Sequence, residues 1–178
     1  ATLETRDAVV VALTSVADPS DENHAEAQAW LYAEMSRNLV RKIVVSAGEG
    51  LRGINIGNME DWKLPLPKAN IPMILAGGTS LFMGMMDTTV TGRSIGERLP
   101  GYRQAGEPRP AFYAVKLVNE KMAGFTSVEK LYFGAGVWAY RFATPGGPVW
   151  VLWYDNGKLY FPGEKPPAVS IELPFEAA

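Results

Sequence analysis

The chain has 178 residues, 47% of them hydrophobic, and a net charge of −2 from 17 basic and 19 acidic side chains. That length and apolar content can bury a real core, as one domain or two small ones, and exclude disorder. Mixed charge of this size leaves no electrostatic footprint for nucleic acid or an anionic membrane, so neutral partners are the more natural, and the lack of cysteine removes disulfides and thiolate metal sites.

Ala1 to Thr5 is short and β-prone, and the run Ala8 to Leu13 is apolar; one or both are expected to be strands. Asp18-Pro19-Ser20-Asp21-Glu22 then offers a capping aspartate, a proline at a first helical position and acids where a helix dipole favours them. A long helix should follow, with Leu31, Met35, Leu39 and Ile43 on its apolar face and Gly48 and Gly50 to stop it. Leu51 to Gly57 reads as a strand. Strand, helix and strand in that order suggest a βαβ unit with parallel strands and a right-handed crossover.

From Asn58 to Glu107 the chain is irregular, with Trp62, three prolines at 65, 67 and 72, and methionines at 83, 85 and 86; one apolar turn or strand is expected around Ser80 to Met86. A second helix should open at Pro110, carry Phe112, Val115, Val118 and Met122 as one stripe, and end at Gly124. Val137 to Phe142 alternates like a strand with two unlike faces, and Thr144-Pro145-Gly146-Gly147 turns the chain into Val149 to Tyr154 as a hairpin. Asp155-Asn156-Gly157-Lys158 is a further turn, after which Leu159 to Phe161 and Val169 to Phe175 are expected to add strands, giving about five in all.

A helix opening in Arg-Pro-Ala-Phe-Tyr-Ala (109–114), then Gly-Phe (124–125), then strands with Tyr-Arg-Phe (140–142) and Val-Trp-Val-Leu-Trp (149–153) resembles the C-terminal part of a barrel glycoside hydrolase of the β-xylosidase or β-glycosidase kind. The resemblance runs from about Gln28 onward. It implies an α/β fold: the last βα units of a (β/α)8-type barrel over residues 1–124, followed by a small antiparallel β domain over residues 125–178. A full barrel needs ~250 residues, so the chain would be processed, truncated or dissected, as its first residue, Ala rather than Met, also suggests.

What the resemblance implies for chemistry is a retaining glycosidase acting on β-linked glycosides by double displacement. Such enzymes need two carboxyl groups about 5–5.5 Å apart. Glu4, followed by Thr5, is the residue that matches the family's nucleophile at the end of the seventh barrel strand; the plainer alternative is a solvated glutamate near a chain end. No part of the chain matches the strand that carries the acid/base glutamate, so the chain alone is expected to be inactive, completed by another chain or a missing N-terminal segment. Asn58, Glu60 and Trp62 fall after the second strand of the βαβ unit, where parallel sheets place ligands, and are candidates for binding sugar, Trp62 as a platform under the ring. Asp61 is either a hydroxyl binder or a cap. Trp138, Trp150 and Trp153 suggest a carbohydrate-binding face, against a core role for at least some of them.

The expected partners are thus a carbohydrate and a second protein chain, with no nucleic acid, membrane, metal or cofactor. His24, the lone histidine, has no companion for a metal site or triad, and the Gly-Gly pairs at 77 and 146 lack the setting of a phosphate loop. The alternative reading is a non-catalytic carbohydrate-binding or assembly module derived from such a barrel. In either case an uncovered strand edge and apolar helix face predict association.

Overall fold

Val9, Leu13, Val16 and Ala17 lie three and four residues apart, the spacing of one helix face, and in the computed structural model they sit on helix α1, Leu3–Ala17. The structure describes residues 3–61, 67–77, 79–90 and 103–174. A strand was the expectation here, because Val9-Val10-Val11 is β-branched. Burial against the next helix decides the matter instead, since β propensity yields readily to tertiary packing. Within α1 the Thr14 hydroxyl donates to the Val10 carbonyl at 2.8 Å, so the polar residue is satisfied inside the helix.

Helix α2, His24–Gly48, starts later than the Asp18-Pro19 signal suggests. The Asp18 carboxylate is used in the turn before it, accepting from the Ser20 backbone N–H at 3.0 Å and the Ser20 hydroxyl at 2.6 Å, and pairing with Lys68 at 3.0 Å. These contacts hold the Asp18 pKa well below its usual value, at about 2. At 25 residues α2 is about 37 Å long and touches both hydrophobic clusters. Its first half, through Ala27, Leu31 and Met35, packs against α1, the short helix α3 (Ile71–Leu75) and the start of α4 (Pro110–Met122). Its second half, through Val44, meets the end of α4 and the rings of Tyr140 and Phe142.

Two antiparallel sheets complete the described fold. In one, β1 (Met86–Val90) pairs with β2 (Arg103–Pro108), with an irregularity between Met86 and Thr88. The other has the order β3-β4-β5, from Ser127–Leu131, Val137–Thr144 and Gly147–Tyr154. Thr144 faces Gly147 across the Pro145-Gly146 turn, and Gly124, with φ 68°, ends α4 in the left-handed conformation expected of it.

The architecture is a small α+β fold, not the last units of a (β/α)8 barrel. Among the described residues no two strands run parallel. The reason lies at both ends of the supposed βαβ unit. The segment before α2 is helical, and Leu51 to Gly57, where a strand was expected, forms no regular element and pairs with no strand. It is held instead by Lys42, whose ammonium donates to the Asn55 carbonyl. From Asn58 onward the structure builds a 3-10 turn at Pro67–Asn70, α3, a second 3-10 turn at Thr79–Phe82, then β1 and β2, where one apolar turn or strand was expected. Leu159 to Phe161 and the described part of the last segment, Val169 to Pro174, pair with no strand, so the second sheet has three strands rather than five. Among the described residues no helix is long and apolar enough to cross a membrane.

Candidate functional site

The residues singled out for catalysis and sugar binding do not converge. Glu4 lies in the first turn of α1 with an exposed side chain, not at the end of a strand. Asn58 and Met59 give their carbonyls to Met85 and Met86 at 3.3 and 2.8 Å, so this run is tied to the entrance of β1. Glu60 is half-buried beside it, and Trp62 lies outside the described residues. None of Glu4, Asn58 and Glu60 lines the clefts described below.

Asp61 is fully buried and is the anchor of a charged cluster. Its carboxylate accepts from the Arg109 guanidinium at 2.7 and 2.5 Å and from the Gly84 backbone N–H at 2.9 Å, while its own N–H donates to the Thr88 hydroxyl at 2.9 Å. Arg109 also donates to the carbonyls of Phe82 and Gly84 and to Asp87, and lies 5.1 Å over the Tyr32 ring. Burial alone would pull the Arg109 pKa down, but the hydrogen bonds and charge of Asp61, helped by Tyr32 and Asp87, leave it raised. Because Arg109 is the residue before α4 and its N–H donates to Met85, this cluster locks α4, the Met83–Met86 run and the chain after Met59 together. It is a structural centre. Sequence reasoning placed Asp61 on a sugar or a cap and read Arg109 only as packing.

Two clefts of ligand size lie among the described residues. One, of about 770 Å³, runs between the C-terminal ends of α2 and α4, the segment from Leu51 to Ile56 and the start of β3. Its lining is largely apolar and includes the exposed Leu51 and Phe125. The other, of about 790 Å³, lies between the middle of α2 and the chain from Val151 to Tyr160, closed at one side by Pro166 and Pro167. Both fall within the usual range for small-molecule sites.

The second cleft carries the richer chemistry. Its aromatic members are Trp153, Tyr154 and Tyr160, and its amides are Asn38 and Asn156. Trp153 stacks on Trp138 with centroids 5.7 Å apart and planes 5° apart, and on Tyr140 at 5.7 Å, so the core supports the ring rigidly. Tyr160 is fixed from both ends: its hydroxyl accepts from the Asn156 amide at 2.7 Å, and its carbonyl from the Trp30 indole at 2.7 Å. Gly157, with φ 75°, makes the turn that brings Lys158 and Tyr160 round to α2. The signal for this turn, Asp155-Asn156-Gly157, was legible; that it would face α2 was not.

Among the described residues no group of three or more acidic or histidine side chains could hold a metal ion. The Nδ1 atom of His24 lies 3.0 Å from the Ser15 carbonyl, a contact that requires the proton on that nitrogen. The chain matches no protein-family model, and no curated protein or solved structure is detectably similar to it.

Proposed function

We propose that this chain is a carbohydrate-binding module without hydrolytic capacity of its own, and that the sugar lies in the cleft between α2 and the Val151–Tyr160 run. The observation that carries the reading is the lining: preorganised aromatic rings at Trp153 and Tyr160 beside the amides of Asn38 and Asn156. A pyranose has an apolar face that stacks on such rings and a rim of hydroxyls that such amides satisfy. The core holds Trp153 and the Asn156 hydrogen bond holds Tyr160, so little ordering cost falls on binding.

The test is isothermal titration of the chain with a panel of oligosaccharides. Saturable binding is expected, weakened roughly 10-fold by Tyr160→Ala, the size of a lost aromatic contact plus its hydrogen bond. No binding across the panel, or binding indifferent to Tyr160→Ala, would overturn the reading.

A second reading keeps one support. From Pro110 to Tyr154 the chain runs as a helix, a left-handed glycine, then antiparallel strands, an order compatible with the β domain of that resemblance although the barrel before it is absent. On this reading the chain is the C-terminal portion or a subunit of a retaining glycosidase, with both its active site and its acid/base glutamate completed by another polypeptide. Hydrolysis of aryl β-glycosides by the chain together with whatever copurifies with it, abolished by Glu4→Gln while oligosaccharide binding persists, would favour this reading over the first.

A further inference from the structure

The cleft proposed above for sugar holds three cations that each have a carboxylate within 4 Å, Glu164 standing just outside the lining beside Lys158. Three cations line it, Arg37, Arg41 and Lys158, against two carboxylates, Glu34 and Asp155. Arg37 is engaged by Glu34 through a direct hydrogen bond. The other two cations are not held in this way. Arg41 stands 3.7 Å from Asp155, beyond hydrogen-bonding distance, and Lys158 stands 3.6 Å from Glu164. Neither ammonium nor guanidinium donates a hydrogen bond to any described residue. Each instead lies over an aromatic ring, Arg41 at 5.8 Å over Trp153 and Lys158 at 4.9 Å over Tyr160.

Two cations with unspent donors thus sit on the two aromatic rings that would stack a sugar. Ring-bound guanidinium keeps its planar fork free at the edge, the geometry that takes a carboxylate by two parallel N–H···O bonds. A neutral sugar uses these donors only as single, weaker hydrogen bonds to hydroxyls. A hexuronate presents a carboxylate on the same ring whose face stacks, so one residue of it satisfies the ring and the cation together. Such a ligand is repelled by Asp155 and Glu164, 3.7 and 3.6 Å from the two cations, but both carboxylates are partly exposed, at 40% and 43%, and are screened by solvent.

We infer that the cleft selects acidic saccharides, with the carboxylate of a uronic acid residue on Arg41 and Lys158 reinforcing it. This rests on the carbohydrate reading of the same cleft and adds the class of sugar. The experiment compares galacturonate, glucuronate and mannuronate oligomers with their carboxyl-reduced counterparts, which keep ring, linkage and length and lose only the charge. At low salt at least one acidic oligomer should bind roughly 10-fold or more tighter than its reduced form, as expected for a charge-assisted pair. That preference should shrink as salt rises. Arg41→Gln should remove most of it, weakening the acidic oligomer by a larger factor than the reduced one, and Lys158→Gln, on an exposed turn, should remove a smaller part without touching the core. Equal binding of acidic and reduced oligomers, or a preference that survives both substitutions, overturns the inference and leaves the carbohydrate reading standing. Binding of neither form overturns both.

Discussion

At the start of α4 the interior holds a guanidinium clamped by carboxylates and carbonyls, whereas against the three-stranded sheet it holds the rings of Tyr140 and Phe142. Both interiors are closed, but by different physics. The ionic one gains specificity from direction, since Asp61 and Arg109 accept only a narrow geometry, and it is vulnerable to the loss of one partner. The aromatic one gains from area and tolerates polar loss: the Tyr140 hydroxyl is buried there with no hydrogen-bond partner.

The sharpest way to break this contrast is Arg109→Ala. It takes from the buried Asp61 carboxylate its guanidinium partner and should destabilise the protein by about 3–5 kcal/mol, read by denaturant unfolding. If the loss were under about 1 kcal/mol, the ionic interior would not be what holds the first half. Gly84→Ala attacks the same centre through sterics. A Cβ there would lie 2.4 Å from the Asp61 backbone nitrogen and 2.9 Å from its carboxylate, so backbone must move, at a cost of about 3 kcal/mol. On the aromatic side, Gly48→Ala puts a Cβ 2.5 Å from Cε1 of Tyr140. The ring can shift where backbone cannot, and a smaller loss, about 1–2 kcal/mol, should appear in thermal melts.

Tyr140→Phe should cost nothing or stabilise slightly, because it removes a desolvated hydroxyl that has no partner. A loss above about 1 kcal/mol would mean that the hydroxyl is satisfied in solution. The smallest effect belongs to the turn before α2. With its folded pKa at about 2 against an ordinary 3.8, Asp18 contributes stability that is complete above pH about 4 and is lost as pH falls toward 2. Asp18→Asn should lower the neutral plateau slightly, toward the acid value, and so flatten that acid limb of the stability profile.

The same contrast explains what could be read in the sequence. Helix α4 and the β4–β5 hairpin follow from local signals, Pro110 and Gly124 at the helix ends and Pro145-Gly146 between alternating runs, and each was legible. The stripe of α2 was equally plain. The nature of α1 was not, because a β-branched run suits a strand until a helix is packed against it, and the parallel sheet inferred from it went with it. The ionic centre was invisible for another reason: Asp61 and Arg109 stand 48 residues apart, and nothing in their neighbours marks them as partners. The cleft was half legible. Trp153 could be read from the sequence as facing either sugar or core; it stacks on Trp138 and Tyr140, and it also lines the cleft, with Arg41 over its ring.

That α2 belongs to both interiors has a consequence for how the chain comes apart. A single rod shared by two cores makes each core's integrity a condition of the other's, so heat or denaturant should melt them in one cooperative step despite their unlike chemistry. The amides near the midpoint of that rod, around Met35 to Val40, should be among the slowest in the protein to exchange with solvent deuterium.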